Sequence, residues 1–518
     1  MREKNHHNAL YCCCIADPWL ETVKEIERQL NISPAYYIGW EGDHSHQITE
    51  NYPDCFFQTV EDAWRGRGFP SLTYTFDVDE EVMKSISFEK NIAINMMDRL
   101  DLSRRNFTSA NKDIYFNRLL KYWLTIVEQY NIDIIISPSI PHRVFDYILY
   151  IVAKIKKIEI VMFQMTHFPD SSILIRDIDS TPAYLKAYLK SHPNPSTPLR
   201  EDIRKNLEKV KQDYALAIPE YMKEHQKAMD GRKFIQGMRN RLINLIHNPL
   251  EQFKKDDTYY IIKEGDFPHT TENITYERKI QTYKNIAYLK RLKASYQKIS
   301  IKPDFSKKYL FVALHYQPEE NSVPSGGIFG DQILIIELLN AFLSEEYTIY
   351  VKEHKVQFHP GEEGALGRNS NYYDYVRGIS ERVQFIDVES DPFELIDHAV
   401  ATVSIGGTIG WEGIVRGTPA LLFGRGWFDD MPGVFKIKST KDLEACWQEI
   451  LHAKNNISAE SIENYHKNLQ HFFIDAHHYK FFKKKEKRPT QESVDNITRG
   501  LTNHLNQINF FNHRPEES

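Results

Sequence analysis

The chain has 518 residues, 41% hydrophobic and 26% charged, which allows about two to four folded domains and excludes a disordered polymer. A formal net charge of −6 gives no bulk electrostatic case for nucleic-acid binding, so no such partner is expected. No apolar run approaches the roughly 20 residues that span a bilayer; the richest, 333–343, is broken by Glu337 and Asn340. The opening MREKNHHNAL lacks a signal peptide's apolar stretch and cleavage site, so a cytoplasmic protein is expected.

In chain order, residues 9–16 read as a strand, 19–30 as a helix and 35–40 as a second strand, with 71–78 a candidate third. A helix at 115–130, a strand at 133–137, a helix at 145–156 and a strand at 159–164 follow. Strands separated by helices predict βαβ units on a parallel sheet. From about 175 to 300 the chain is rich in Lys, Glu, Tyr and Gln, with helical patterns at 200–227 and 280–298 and no sustained heptad. A second alternating block starts near Lys308, with strands at 309–316, 347–353, 383–387, 399–404 and 420–423, then helix from Ser439 onward.

The expected fold class is α/β, two Rossmann-like domains facing across a cleft. Residues 1–174 form the N-terminal domain, 175–304 a mostly helical insertion, 305–465 the C-terminal domain, and 466–518 C-terminal helices and a basic tail.

The stretch 399–424, AVATVSIGGTIGWEGIVRGTPALLFG, reads as strand, glycine turn, helix, strand. Thr408 sits where an N-cap belongs, with Glu412 in the first turns of the helix. A small-residue turn feeding a helix start offers free backbone N–H groups and a positive dipole end, which suits a nucleotide phosphate; an ordinary packing turn of a parallel sheet is the alternative.

Three more strand ends carry unusual residues: His315, Gln317, Glu319 and Glu320 after the first, Lys352, Glu353 and His354 after the second, and Asp387 and Asp391 after the third. In a parallel sheet all of these converge on one rim, where ligands of such folds sit. A leaving nucleotide phosphate needs positive groups, which Lys352, His354 and the amides of Gly406, Gly407 and Thr408 supply. Glu412 then accepts hydrogen bonds from ribose or sugar hydroxyls. An attacking hydroxyl needs a base, for which Asp17, His142 and Asp146 are the candidates on the N-terminal rim. Asp17 precedes Pro18 and reads equally as a helix cap.

Metal chemistry is not expected. No HExxH spacing occurs, and the neighbouring pairs His6-His7 and His477-His478 do not share a helix face. The DxD triplet Asp77-Val78-Asp79 lies in an acidic run and reads as a solvated turn. Cys12, Cys13 and Cys14 alternate across a strand and, with Cys55 and Cys446, form no CxxC pair, so they read as small buried hydrophobes in a reducing compartment. The run 479–488, YKFFKKKEKR, suits an anionic membrane surface or a solvated helix end.

The segments ALHYQPEENSVPSGGIFGDQ, YVKEH, VQFIDVESDPFELI and SIGGTIGWEGIVRGTPALLFG together resemble the capsular polysaccharide biosynthesis glycosyltransferases, a group that includes transferases of 3-deoxy-manno-octulosonic acid. Gln317-Pro318 matches the family's Gln-Pro motif. Lys352-Glu353-His354 corresponds to its His-Pro motif, with Lys355 in place of the proline. The resemblance implies a B-type glycosyltransferase fold and a cytoplasmic enzyme at the inner face of the plasma membrane. Such an enzyme moves a sugar from a nucleotide-sugar donor, CMP-linked in the named group, to a glycan or glycolipid acceptor, with no cofactor beyond that co-substrate. The catalytic set is read as Asp17, His142, Glu319 and His354, and the donor-binding set as His315, Gln317, Lys352, His354, Gly406, Gly407, Thr408 and Glu412. A non-hydrolysing sugar-nucleotide 2-epimerase and a non-catalytic polysaccharide-binding or export subunit are the alternatives.

Overall fold

The computed structural model describes residues 6–40, 42, 45–72, 78–100, 107–217, 243, 275–360, 364–479 and 488–512. The N-terminal half contributes β1 (His7–Cys12), β2 (Ile32–Gly39), β3 (Phe56–Thr59), β4 (Ile132–Ser137), β5 (Glu159–Met165) and β6 (Ser171–Ile175). They lie in the order β6-β5-β4-β1-β2-β3, parallel except for β6. Strand β4, IDIIIS, is nearly continuously apolar because helices cover both faces of the sheet. Helix Trp19–Leu30 buries Trp19, Val23, Ile26 and Leu30, a stripe at helical spacing, and ends on Asn31 in the left-handed region.

The C-terminal half forms a second, fully parallel sheet: β7 (Lys308–Ala313), β8 (Tyr347–Lys352), β9 (Val383–Phe385), β10 (Ala401–Ser404), β11 (Ala420–Leu422) and β12 (Val434–Lys436). Its order, β12-β11-β10-β7-β8-β9, is that of a dinucleotide-binding domain, with the chain direction reversing between β7 and β10. Two Rossmann-like sheets are therefore present, as expected.

Several boundaries differ from the sequence reading. The third strand is Phe56–Thr59 rather than 71–78; residues 71 and 72 are irregular, and 73–77 lie outside the described residues. The N-terminal sheet runs past residue 174, since β6 ends at Ile175. Helix Thr275–Ile299, expected in the insertion, packs Leu289, Leu292 and Tyr296 into the C-terminal core. Most of the stretch 218–274 lies outside the described residues.

The chain's end returns to the N-terminal domain instead of standing apart. Strand β13 (Ile474–Asp475) pairs antiparallel with β6, and helix Thr490–Gln507 packs against helix Trp19–Leu30. Trp19 Nε1 donates to His478 O at 2.7 Å, and His477 Nε2 lies 3.1 Å from Asp170 Oδ2. Of the basic run, 480–487 lie outside the described residues. Asp79, of the DxD triplet, caps helix Glu80–Ser85 by accepting from Val82 N–H.

One buried ion pair holds the C-terminal rim. The Arg368 and Glu353 side chains are both 0% exposed, with Nε to Oε2 at 2.9 Å. Arg368 also donates to His315 O at 3.1 Å, to Gly367 O at 3.0 Å and to Gln317 Oε1. Glu353 accepts from Tyr373 Oη at 2.8 Å and from His354 N–H at 2.9 Å. The loops after β7 and β8 are thus tied to one guanidinium. Removing it leaves a buried carboxylate without its counter-charge, so Arg368→Leu is expected to cost about 3–5 kcal/mol in urea unfolding. The double variant Arg368→Leu/Glu353→Met should recover much of that loss, and an equal loss in both would show that burial of charge is not the cause.

Candidate active site at the facing sheet rims

The reversal between β7 and β10 opens a crevice at their carboxyl ends, and the glycine turn fills one side of it. A Cβ on Gly406 would lie 1.9 Å from Arg425 O, and one on Gly407 would lie 2.7 Å from the His315 ring. Only glycine allows those approaches. Gly407, not Thr408, is the N-cap residue of helix Thr408–Val415; Thr408 is its first residue, because the close approach to His315 admits no side chain at the cap. The first amide paired within the helix is that of Gly410, to Gly407 O. The amides of Thr408 and Ile409 precede that first pair at the helix start.

The two histidines of this rim are fixed in opposite tautomers. His315 Nε2 accepts the Ile405 N–H at 3.2 Å, so in the neutral ring the proton sits on Nδ1. His354 Nδ1 accepts the Val356 N–H at 3.3 Å, which puts its proton on Nε2. Both protonated nitrogens make no hydrogen bond among the described residues. Burial, then the charges of His354 and Arg368, push His315 down to about 3. Burial, then Lys352 and Arg368, push His354 down to about 4. Each is a neutral N–H donor at physiological pH.

Lys352, 8% exposed, makes no ion pair or hydrogen bond among the described residues. Burial and then Lys355 bring its ammonium down to about 8. Glu412, 4% exposed, likewise makes no side-chain hydrogen bond among the described residues, and burial lifts its carboxyl to about 7. The Thr408 side chain is half-buried at the helix start. Gln317 has a different role: its amide donates to Gly330 O at 2.6 Å and accepts from Arg368. It shapes the loop.

The N-terminal rim faces this one directly. Arg99, from the turn Met97–Leu100, donates to His142 O at 3.1 Å and to Glu319 O and Val323 O at 2.8 Å each. His142 follows β4, and its Nδ1 lies 2.7 Å from Ile140 O and 3.3 Å from Glu320 Oε2. A carbonyl only accepts, so Nδ1 carries the proton and Nε2 keeps its lone pair. Burial, then Arg143, holds His142 well below the usual histidine range. Val144, two residues on, has φ 67° and ψ −64°, and Phe145 N–H donates back to Arg143 O at 2.8 Å. Asp146, 2% exposed, accepts from the His142 and Arg143 amides at 3.2 and 2.6 Å, so it builds the loop rather than acting on a substrate.

Glu319 is partly buried beside this contact, with Asn321 Nδ2 3.4 Å from Oε1, and burial lifts its carboxyl to about 7. Asp17 is exposed, immediately before Pro18 and the helix Trp19–Leu30. Of the expected site residues, the structure brings His315, Glu319, Lys352, His354, Gly406, Gly407, Thr408 and Glu412 to the C-terminal half, on the loops after its strands or in the helix that follows β10, and His142 to the loop after β4 of the N-terminal sheet. The sequence reading missed Arg99 and Arg368. Among the described residues no cluster of three metal-ligating side chains occurs, and no helix is long and apolar enough to cross a membrane.

No curated protein matches the chain. Solved structures with a similar arrangement include KpsC, beta Kdo 2,7 transferase, from Thermosulfurimonas dismutans, at 11% identity and TM-score 0.30, covering 73% of this chain and 88% of that one. UDP-GlcNAc 2-epimerase from Methanocaldococcus jannaschii has 11% identity and TM-score 0.24, covering 90% and 100%. A glycosyltransferase from Rickettsia africae has 11% identity and TM-score 0.23, covering 97% and 99%. The family described as "Capsule polysaccharide biosynthesis protein" matches residues 244–479, a span that contains every residue of the C-terminal rim and the Glu319-Glu320 pair. Residues 244–479 are thus similar to that family.

Proposed function

We propose that this protein is a glycosyltransferase that moves a sugar from a nucleotide-sugar donor onto a growing surface polysaccharide. The observation that carries the reading is the opposition of two rims. One presents N–H donors and a buried ammonium to an anion; the other presents an imidazole with an open lone pair. The donor phosphate is held by Lys352 Nζ, His354 Nε2–H, His315 Nδ1–H and the amides at Gly406–Thr408, and Glu412 accepts from a ribose or sugar hydroxyl. His142 Nε2 takes the acceptor hydroxyl proton as the new C–O bond forms. The bond from the anomeric carbon to phosphate oxygen breaks, and its electron pair leaves on the phosphate, where the N–H groups meet the growing charge. These groups do the electrostatic work that a metal does elsewhere, so turnover in EDTA is expected to match that without it.

A melting-temperature screen of the full chain against CMP, CDP, UDP, GDP, ADP and their sugars tests the reading, since a ligand of the folded state raises the midpoint. One nucleotide class should stabilise selectively. Product formed without any acceptor would turn the reading to a 2-epimerase, and no shift with folded protein would turn it to a binding subunit. Lys352→Met is expected to weaken donor binding about 10- to 100-fold, the range of a charged hydrogen bond.

The pH dependence follows from the lowered ammonium. Lys352 is charged below about 8 and loses its proton above it, so donor affinity should fall as pH rises from 7 to 9, and the Lys352→Met variant should show a flat profile. An unchanged affinity in that variant would remove Lys352 from the site. Attachment to an anionic membrane is assigned to the run 479–488, and neutralising Lys483, Lys484 and Lys485 should release the protein from phosphatidylserine vesicles.

A further inference from the structure

Glu320 has no part in the reading above, yet it makes a side-chain contact that crosses from one domain to the other beside the base. It sits on the loop after β7 that also carries His315 and Gln317, while His142 sits on the loop after β4 of the opposite sheet. The two side chains remain 19% and 23% exposed, open enough for a hydroxyl to reach. Arg99 pins the backbone of both loops at once, through His142 O and Glu319 O.

Resting on the transferase reading, we propose that Glu320 is the positioning carboxylate of a histidine dyad split between the domains, orienting His142 for its work as the base. The Nδ1–H donates to Ile140 O at 2.7 Å, and Glu320 Oε2 stands 3.3 Å from the same nitrogen, on the side of the ring away from Nε2. When Nε2 takes the acceptor proton the ring becomes an imidazolium, and its Nδ1–H faces the carboxylate that balances it. No co-reactant is required.

The groups facing the pair are Arg99, Arg143 and Asp146 from the N-terminal rim, Glu319 beside Glu320, and Tyr479 from the returning chain. The thiols of Cys12 and Cys13 lie behind Arg143. Burial, then Glu319, lifts the Glu320 carboxyl to about 8, against the lowering pull of Arg143 and Arg99. The carboxylate form, and with it the full strength of the dyad, therefore grows as pH rises through about 8.

The test compares Glu320→Gln, Glu320→Asp and His142→Asn in the full chain, each verified by an unchanged melting temperature. Glu320→Gln should lower kcat about 10- to 100-fold, leave donor KM within about twofold, and abolish the rise with pH of kcat measured at saturating donor. Glu320→Asp should restore part of the rate. Wild-type kinetics and pH profile in Glu320→Gln, with loss in His142→Asn, would overturn the dyad while leaving the transferase reading intact. A readout free of turnover separates the two failures. In protein labelled with 15N on the histidine rings, His142 (assigned by its absence in His142→Asn) should titrate in two coupled steps that collapse to one in Glu320→Gln. An identical His142 curve in both proteins overturns the proposal whatever the activity.

Discussion

Everything on the C-terminal rim depends on the Arg368–Glu353 pair. Two charges taken fully out of water carry a desolvation penalty of several kcal/mol each, so the pair is no ready source of stability. What it supplies is position. The guanidinium reaches His315 O, Gln317 Oε1 and Gly367 O, and the carboxylate reaches the His354 amide and the Tyr373 hydroxyl. The loops after β7 and β8 are thereby held by a rigid fork whose donors cannot be redirected one at a time. The pair also sets the electrostatics, since the Arg368 charge helps lower both His315 and His354. Held neutral, each ring has one acceptor nitrogen occupied by a backbone N–H and one proton left for a ligand. Lys352 then supplies a positive charge without an ion-pair partner among the described residues.

The two rims divide the chemistry by the way they orient the same side chain. On the C-terminal side the ring nitrogens that accept are turned to the protein's own amides, and the donors are left over. On the N-terminal side His142 spends its proton on Ile140 O and keeps the lone pair. Backbone hydrogen bonding alone makes that difference, and no difference in burial is needed, because all three imidazoles are pushed down mainly by desolvation. The carboxylates show the converse. Glu319, Glu320 and Glu412 are all lifted mainly by burial, toward the range in which a carboxyl exchanges protons near neutral pH.

The parts legible in the sequence were those with a period or a turn signal. Helices Trp19–Leu30 and Phe145–Lys156 stand where the apolar spacing put them, and the Gly406-Gly407 break located the crevice. Strand β3 was not legible because four residues, FFQT, are too few to show alternation. Strand β13 has two. Thr408 misled because threonine is a better cap than glycine in isolation; the constraint that overrides it, the His315 ring, lies 92 or 93 residues earlier in the chain. Arg368 lies in a polar loop, GRNSN, that carries no pattern, and its partners Glu353 and Gln317 are 15 and 51 residues away. Arg99 was hidden for the same reason, and Glu320, though singled out at its strand end, had no role there: the meaning of both is a contact between domains, and no spacing within either domain encodes it.

Val144 shows how the N-terminal rim maintains that contact. A β-branched residue at φ 67° and ψ −64° is an unfavourable γ-turn, a conformation costing about 1–3 kcal/mol. It persists because its surroundings determine it from three directions: the side chain is 1% exposed in the core, its amide donates to Met96 Sδ at 3.2 Å, and Asp146 holds the amides of His142 and Arg143. A relaxed turn would carry the chain straight from β4 into helix Phe145–Lys156. The strained one folds the two preceding residues back, placing His142 against Glu320 and the Arg143 guanidinium near Tyr479. Strain at this position follows from what the loop must reach, for the partner of His142 belongs to the other domain and the distance is set by packing, not by local preference. The cost is met within the N-terminal core, by burial and by the hydrogen bonds of Asp146. The shape of the rim is therefore set within its own domain, by burial of Val144 and by hydrogen bonds that do not involve Glu320.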